Sequence, residues 1–153
     1  DVLIEVFKPR YIPENYMSLE GLRLSFYKNL SSATSADEID NIHYHLTNRF
    51  GPPPRPVNNL VQEYRLRLEA AAAGVLSIQA RGCGVVCKII NNDIPVFMDS
   101  ILEYTASFLG ERDIDFHLLP SPGLDLLLCL HISHNTDKYS LLSSLLDKLK
   151  ALA

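Results

Sequence analysis

The stretch Arg49-Phe50-Gly51-Pro52-Pro53-Pro54 ends one helix and separates it from the next. Arg49 supplies a positive charge where the helix dipole is negative, and Gly51 stands where a left-handed cap favours a residue without a Cβ. The three prolines prevent the helix from continuing. Upstream, Ser35-Ala36-Asp37-Glu38 has the pattern of a capping box, which opens a helix. Together these signals predict a helix over residues 35–50 and fix which of its side chains face outward.

The spacing of apolar residues predicts the rest of the secondary structure. Apolar residues recur at helical spacing up to residue 74, whereas short β-rich runs alternate with two further helices after it. The predicted helices cover residues 18–33, 35–50, 56–73, 95–109 and a segment from about 136, and the predicted strands cover residues 2–6, 75–78, 85–90, 114–118 and 124–132. We therefore expect one α+β domain over residues 1–153, with an N-terminal helical half (about 15–74) and a small mixed sheet flanked by two helices (about 75–153).

Residue types add detail to the second half. Arg81-Gly82-Cys83-Gly84 predicts a hairpin, and turns are expected at residues 91–93 and 120–123. The nearly all-apolar strand at 124–132 is expected at the centre of the sheet, covered on both sides. The fourth helix is expected to be buried on more than one face, with four residues in line: Phe97, Ile101, Tyr104 and Phe108.

Composition bounds the class of protein. The 153 residues include 47% hydrophobic and 21% charged residues, and the net charge is −4, which argues against direct nucleic-acid binding. No apolar run reaches the roughly 18 residues of a membrane span, and no signal peptide opens the chain, which begins at Asp1 and is expected to be a piece of a longer protein. Three cysteines form no disulfide framework, which favours a cytoplasmic location.

Pairs of histidines and cysteines are the first candidates for a metal site. His43 and His45 lie two residues apart on a predicted helix, so their side chains point about 200° apart and cannot share one ion. His43 is instead expected to be partly buried and hydrogen-bonded. Cys83 and Cys87 on one continuous strand would be about 13 Å apart, which is too far for a single zinc ion.

A better cluster of ligands ends the last strand. Cys129, His131 and His134 are weak candidates for metal binding, because no fourth ligand is evident and cysteine is among the commonest core residues. A free-standing metal- or ligand-binding domain built on them is the alternative interpretation. A small hydrolase is disfavoured, because the sequence contains no nucleophile elbow and no phosphate-binding glycine-rich loop.

Charged residues on the third helix offer no track for nucleic acid. Arg65 and Arg67 are flanked by Glu63 and Glu69. This alternation of sign is typical of a solvated, ion-paired helix face. The residues alone therefore predict a globular domain that binds something, without saying what.

Four motifs in order resemble the carboxy-terminal domain of the bacterial transcription-repair coupling factor. The family pattern Ile-Pro-x-x-Tyr, Arg-Leu-x-x-Tyr-Lys/Arg, a Glu-Leu/Ile helix and Asp-Arg-Phe-Gly-x-x-Pro is similar to four stretches of this chain. These stretches are Ile12-Pro13-Glu14-Asn15-Tyr16, Arg23-Leu24-Ser25-Phe26-Tyr27-Lys28, Ser35-Ala36-Asp37-Glu38-Ile39 and Asn48-Arg49-Phe50-Gly51-Pro52-Pro53-Pro54. They cover about the first half of the chain.

The resemblance implies a regulatory domain rather than an enzyme. The parent protein would be an ATP-driven DNA translocase that displaces stalled RNA polymerase and recruits nucleotide-excision repair. Its ATP, magnesium, DNA and polymerase sites would lie outside this chain, which would hold no cofactor. The domain would dock on an amino-terminal module similar to an excision-nuclease subunit, and would thereby hide the surface that the damage-recognition subunit uses.

The predicted contact lies on the second helix. His45 and Asn48 are neighbours on the face away from the core stripe, and Arg49 flanks them. The family usually carries Glu and Asp at positions 45 and 48, facing basic residues of the partner, so the resemblance implies a weaker or rewired contact in this chain. Protonation of His45 would oppose a basic partner and favour release at low pH. An ordinary solvated face is the alternative for these residues.

Overall fold

The computed structural model describes residues 2–82, 84–90, 94–120, 126–133 and 136–152. Within these ranges the chain forms five helices and five strands, which confirms the α+β class. The elements are β1 (Leu3–Glu5), α1 (Glu20–Ser32), α2 (Ala36–Phe50), α3 (Arg55–Ala73), β2 (Val75–Arg81), β3 (Gly84–Ile89), α4 (Ile94–Gly110), β4 (Phe116–Pro120), β5 (Leu126–His131) and α5 (Lys138–Leu152). None of the helices in the described part of the chain is long and apolar enough to cross a membrane.

The chain divides into two compact units. Phe7–Leu68 forms the helical unit, and Asp1–Val6 together with Glu69–Ala153 forms the sheet unit. The division therefore falls inside α3 rather than near residue 74, and β1 belongs with the sheet, because it pairs in parallel with β2.

An apolar cluster holds the helical unit together. The predicted stripe of α2 supplies Ile39 and Leu46, both fully buried, with Ile42 and Phe50 packed against them. The other buried members of the cluster are Ile12, Met17, Leu30, Val57, Leu60 and Val61. At about 25 cal/mol per Å² of apolar surface removed from water, burial of this stripe is the main reason that α2 is stable.

Hydrogen bonds fasten the segment before α1 to the helices. The Ile12 amide donates to the Tyr27 hydroxyl at 2.7 Å, and the Asn59 amide group donates to the Pro9 carbonyl at 2.8 Å. The Tyr11 amide donates to the Pro56 carbonyl at 3.3 Å. These bonds satisfy backbone groups that a loop buried against helices would otherwise leave unpaired.

The solvated, ion-paired face predicted for α3 is wrong at Glu63. This side chain is buried and forms an ion pair with Arg10, because the segment before α1 lies over this part of the helix. Arg65 is half-buried and pairs with Asp40 of α2. The guanidinium of Arg67 lies over the ring of Tyr64, 4.8 Å from its centroid. These charges thus serve packing within the helical unit.

The sheet has the strand order β1-β2-β3-β5-β4, and every pair except β1–β2 is antiparallel. The predicted hairpin is confirmed, since Arg81 pairs with Gly84; Cys83 lies outside the described residues. Gly84 is required there, because a Cβ at this position would overlap the carbonyl group of Leu130 on β5. The turn expected at 91–93 lies outside the described residues, as do Leu124 and residues 121–123 of the turn expected at 120–123. Pro120, expected in that turn, is instead the last residue of β4.

Strand β5 is interior, as predicted, but it is not covered on both sides. Its burial alternates, with Leu126, Leu128 and Leu130 buried and Leu127 and Cys129 half-buried. The prediction failed because a nearly continuous apolar run is typical of strands covered on both faces, whereas this antiparallel strand buries one face only.

Helix α4 also buries a single stripe among its described side chains. Ile101, Thr105 and Phe108 are buried, whereas Tyr104 is 45% exposed and Leu102 is 49% exposed. The predicted place of Tyr104 in the buried line is therefore wrong. Thr105 takes that place because its hydroxyl donates to the Ile101 carbonyl within the helix, which makes it acceptable in the core. The side chain of Phe97 lies outside the description.

Strand β4 starts two residues later than predicted, because the end of α4 occupies the intervening chain. Asp113 adopts a positive φ of 53°. The Asp113 amide donates to the Gly110 carbonyl at 3.2 Å, and the Ile114 amide donates to the Leu109 carbonyl at 3.0 Å. These bonds close the C-terminal end of the helix.

Candidate interaction surface

Both ends of α2 are fixed as its sequence predicts. At the start, the Ser35 hydroxyl accepts a hydrogen bond from the Glu38 amide at 3.2 Å, and the Glu38 carboxylate accepts one from the Thr34 amide at 2.6 Å. At the end, Gly51 adopts φ +89° and its amide donates to the Thr47 carbonyl at 2.9 Å. The outward face of α2 is therefore presented on a helix with two closed termini.

Aromatic contacts anchor the last turn of α2. The Phe50 ring meets Tyr16 at 5.8 Å and Phe26 edge-on at 6.1 Å between centroids. The Tyr16 hydroxyl donates to the Gly51 carbonyl at 2.7 Å. Burial raises the pKa of Tyr16 above its ordinary value, which keeps this phenol a neutral donor. Tyr16 of the first family motif therefore contacts Phe50 and Gly51 of the last one.

Side-chain contacts along α2 restrain its middle. His43 is half-buried, and its Nε2 lies 3.4 Å from the Asn58 side-chain oxygen, which confirms the expected partly buried, hydrogen-bonded histidine. Asp40 is the partner of Arg65 on α3. Since α2 is tied at its ends and its centre, its exposed side chains project from a defined backbone.

The residues of the predicted contact are all exposed. His45 and Asn48 lie on the side of α2 away from the buried Ile39 and Leu46, and Arg49 flanks that side. The Arg49 guanidinium is 5.4 Å from the centroid of the Phe50 ring. This arrangement leaves all three side chains accessible to a partner, whereas their role in an interface stays a prediction.

Tyr44 shares this exposed side, although no motif in the sequence singled it out. Its side chain is 62% exposed, and its ring meets the His45 ring edge-on, with 5.7 Å between centroids. The available signal was its helical position beside Asn41 and Asn48, three residues before it and four after it. The exposed side of α2 therefore combines hydrogen-bonding groups with one large aromatic ring.

The metal candidates do not assemble into a site within the described residues. Cys129 is half-buried opposite His117, and His131 is exposed with its ring 5.4 Å from that of His117. His134 lies outside the described residues. No group of three or more histidine, cysteine or acidic residues in the described part of the chain could hold a metal ion.

An open cavity of about 500 Å³ lies beside these histidines in the sheet unit. Its lining includes His117, His131 and Asp115, whose backbone carbonyl accepts a hydrogen bond from the His131 amide. On the neighbouring strand, burial and the nearby Cys129 raise the pKa of Cys87 to about 12, so this thiol stays protonated and unreactive. Among the described residues that line this cavity, no nucleophile and base lie within reach of each other.

The architecture is that of a known class of α+β domains. The fold matches the crystal structure of a carboxy-terminal domain of transcription-repair coupling factor with a TM-score of 0.78, over 99% of this chain and 93% of that one, at 14% identity. The family model of the TRCF domain matches residues 8–97, which include α1, α2 and α3 with the contacts described above. The chain belongs to the TRCF domain family.

Curated relatives agree with this assignment. The transcription-repair-coupling factor of Escherichia coli is 29% identical over 102 residues, which cover 65% of this chain and 9% of that protein. The corresponding protein of Haemophilus influenzae is 38% identical over 77 residues, which cover 50% of this chain and 7% of that protein. The matched part thus spans less than a tenth of either relative. Nothing in these matches supports the alternative of a free-standing metal- or ligand-binding domain.

Proposed function

We propose that this chain is a non-catalytic regulatory domain of a transcription-coupled repair translocase. In this proposal it docks on an amino-terminal module of the same protein, which is similar to an excision-nuclease subunit. Docking covers the surface that recruits the damage-recognition subunit, and release exposes it. The observation that carries the proposal is the exposed side of α2, with His45, Asn48 and Arg49 held on a helix that is fixed at both ends.

The proposal places the chemistry elsewhere in the parent protein. ATP hydrolysis with its magnesium ion, DNA translocation and the contact with RNA polymerase belong to other domains, and this chain acts on them by masking or exposing a surface. Such a switch requires two states of similar free energy, biased by ligands that bind one state better. A contact of modest strength suits this role, because a very tight one would never be released.

The charge of α2 modulates the strength of the contact in this proposal. His45 and Asn48 carry no formal charge at neutral pH, whereas the family pattern has two carboxylates there. If the partner surface is basic, each restored carboxylate adds up to about 1 kcal/mol of favourable interaction. The docked state of this chain is therefore populated several-fold less than that of a relative with both acids.

The test measures binding of the 153-residue chain to the amino-terminal module by calorimetry. We expect His45→Glu combined with Asn48→Asp to tighten binding several-fold. A matched control adds the same two charges to the exposed side of α1, as Ser25→Glu with Asn29→Asp, and should change the affinity less than about twofold. An unchanged affinity of the α2 variant, or no binding by the unmodified chain, would refute the proposed contact.

A further inference from the structure

We propose that Tyr44 anchors the docked state, by inserting its ring into an uncharged recess of the partner. This inference rests on the function proposed above, because the partner is the same amino-terminal module. It differs in assigning most of the affinity to one aromatic side chain rather than to the ion-pair positions 45 and 48.

The position of Tyr44 on α2 is the first reason. Asp37, Asn41, Tyr44 and Asn48 follow the spacing i, i+4, i+7, i+11, which forms a nearly straight line along one side of a helix. All four side chains are exposed. This is the spacing with which a helix presents anchor residues to a groove, and Tyr44 is the bulkiest side chain of the line.

The distribution of charge around Tyr44 is the second reason. Asn41, Tyr44, His45 and Asn48 fall within an arc of about 100° on the helix and carry no formal charge at neutral pH. Charged side chains border the arc: Asp37 lies in the first turn, Asp40 lies one turn before Tyr44 and pairs with Arg65 of α3, and Arg49 lies in the last turn. Interfaces are built in this way, with a core depleted of charge and a polar rim.

The rigidity of the site is the third reason. A tyrosine has only two rotatable side-chain bonds and loses little conformational entropy on binding. The edge-on contact with the His45 ring restrains Tyr44 further, and the closed ends of α2 fix the backbone beneath it. Ordering costs on docking are therefore small, which favours affinity from a single large contact.

The partner chemistry follows from the ring itself. A phenol ring that leaves water needs apolar contact along its body and a hydrogen-bond partner at its hydroxyl. The recess should therefore be lined by apolar side chains and carry one polar group at its base or rim. Because no ion pair is required, docking of the unmodified chain should depend little on ionic strength.

The experiment compares tyrosine variants of the 153-residue chain for binding to the amino-terminal module. We expect Tyr44→Ala to weaken binding at least about tenfold, and Tyr44→Phe, which keeps the ring, to stay within about threefold. Tyr104→Ala is the matched control, since Tyr104 is 45% exposed on α4 in the sheet unit, and it should leave binding unchanged. Circular dichroism of each variant establishes that α2 is still folded.

Salt dependence separates this inference from the ion-pair mechanism. From about 50 to about 500 mM salt, binding of the unmodified chain should change less than about twofold, whereas the variant with His45→Glu and Asn48→Asp should lose its added affinity. If Tyr44→Ala binds like the unmodified chain while the acidic variant binds more tightly, the anchor is refuted and the proposed function stands. If the unmodified chain does not bind at all, the proposed function itself fails.

Discussion

Replacing Gly51 with alanine should destabilise the chain through backbone strain alone. Gly51 has φ +89° and ψ −175°, a region that is essentially restricted to glycine and costs other residues about 1–3 kcal/mol. No atom lies within 4 Å of a Cβ built on it, so steric contact adds nothing. Alanine also lowers the conformational entropy of the unfolded chain, which offsets about 0.4–1 kcal/mol of this cost. We therefore expect Gly51→Ala to lower the free energy of unfolding by about 1–2 kcal/mol.

Urea denaturation followed by circular dichroism measures this effect, as a lower midpoint at unchanged slope. In a thermal scan the same loss corresponds to a fall in Tm of about 2–8 °C for a chain of this size. Gly21→Ala is the matched control, because Gly21 lies in α1 with equally open space around it and no positive φ. That substitution should stabilise the chain by up to about 1 kcal/mol. If both variants move the midpoint in the same direction, or Gly51→Ala does not move it, strain at the cap is not the reason for the glycine.

Three further outcomes are expected. Asp137 precedes α5, and its carboxylate accepts hydrogen bonds from the Ser140 amide at 3.2 Å and hydroxyl at 2.8 Å; Asp137→Ala should therefore cost about 0.5–2 kcal/mol in urea denaturation. These hydrogen bonds lower the pKa of Asp137 from 3.8, so the stabilisation due to its negative charge is present above that pH and is lost as the pH falls below it. The difference in the free energy of unfolding between the unmodified chain and Asp137→Asn should therefore shrink in acid. Cys87, with a pKa raised to about 12, should resist alkylation at pH 8 in the folded chain and react on unfolding, and peptide mass spectrometry should find half-buried Cys129 modified earlier.

The sequence predicted α2 best because its information is local. The Ser35 cap and the Gly51 cap each involve residues within four positions, and the apolar stripe between them defines both faces. Exposure of His45 and Asn48 follows directly from that period. The helical periodicity does not show which exposed residues a partner contacts. Tyr44 lies on the same exposed side of α2, but no sequence pattern distinguishes it from its neighbours.

The errors have a common physical origin, since each depends on contacts distant along the chain. Glu63 is buried because Arg10, from a different part of the helical unit, neutralises it. Tyr104 is exposed because Thr105 takes the buried position, where its hydroxyl donates a hydrogen bond to the Ile101 carbonyl within α4. The open side of β5 depends on which strands flank it and where the helices pack. Periodicity alone contains none of this information.

Helix α3 has a practical consequence for anyone who wishes to shorten this protein. The division between the helical and sheet units falls between Leu68 and Glu69, within the uninterrupted helix Arg55–Ala73. In a fragment that stops at that point, the last carbonyl groups of the shortened helix would lose their hydrogen-bond donors, and the last turn would fray. Proteases prefer extended loop tips and should therefore spare this boundary. Expression of either half alone would be better served by retaining α3 through Gly74, whose positive φ of 75° ends it naturally.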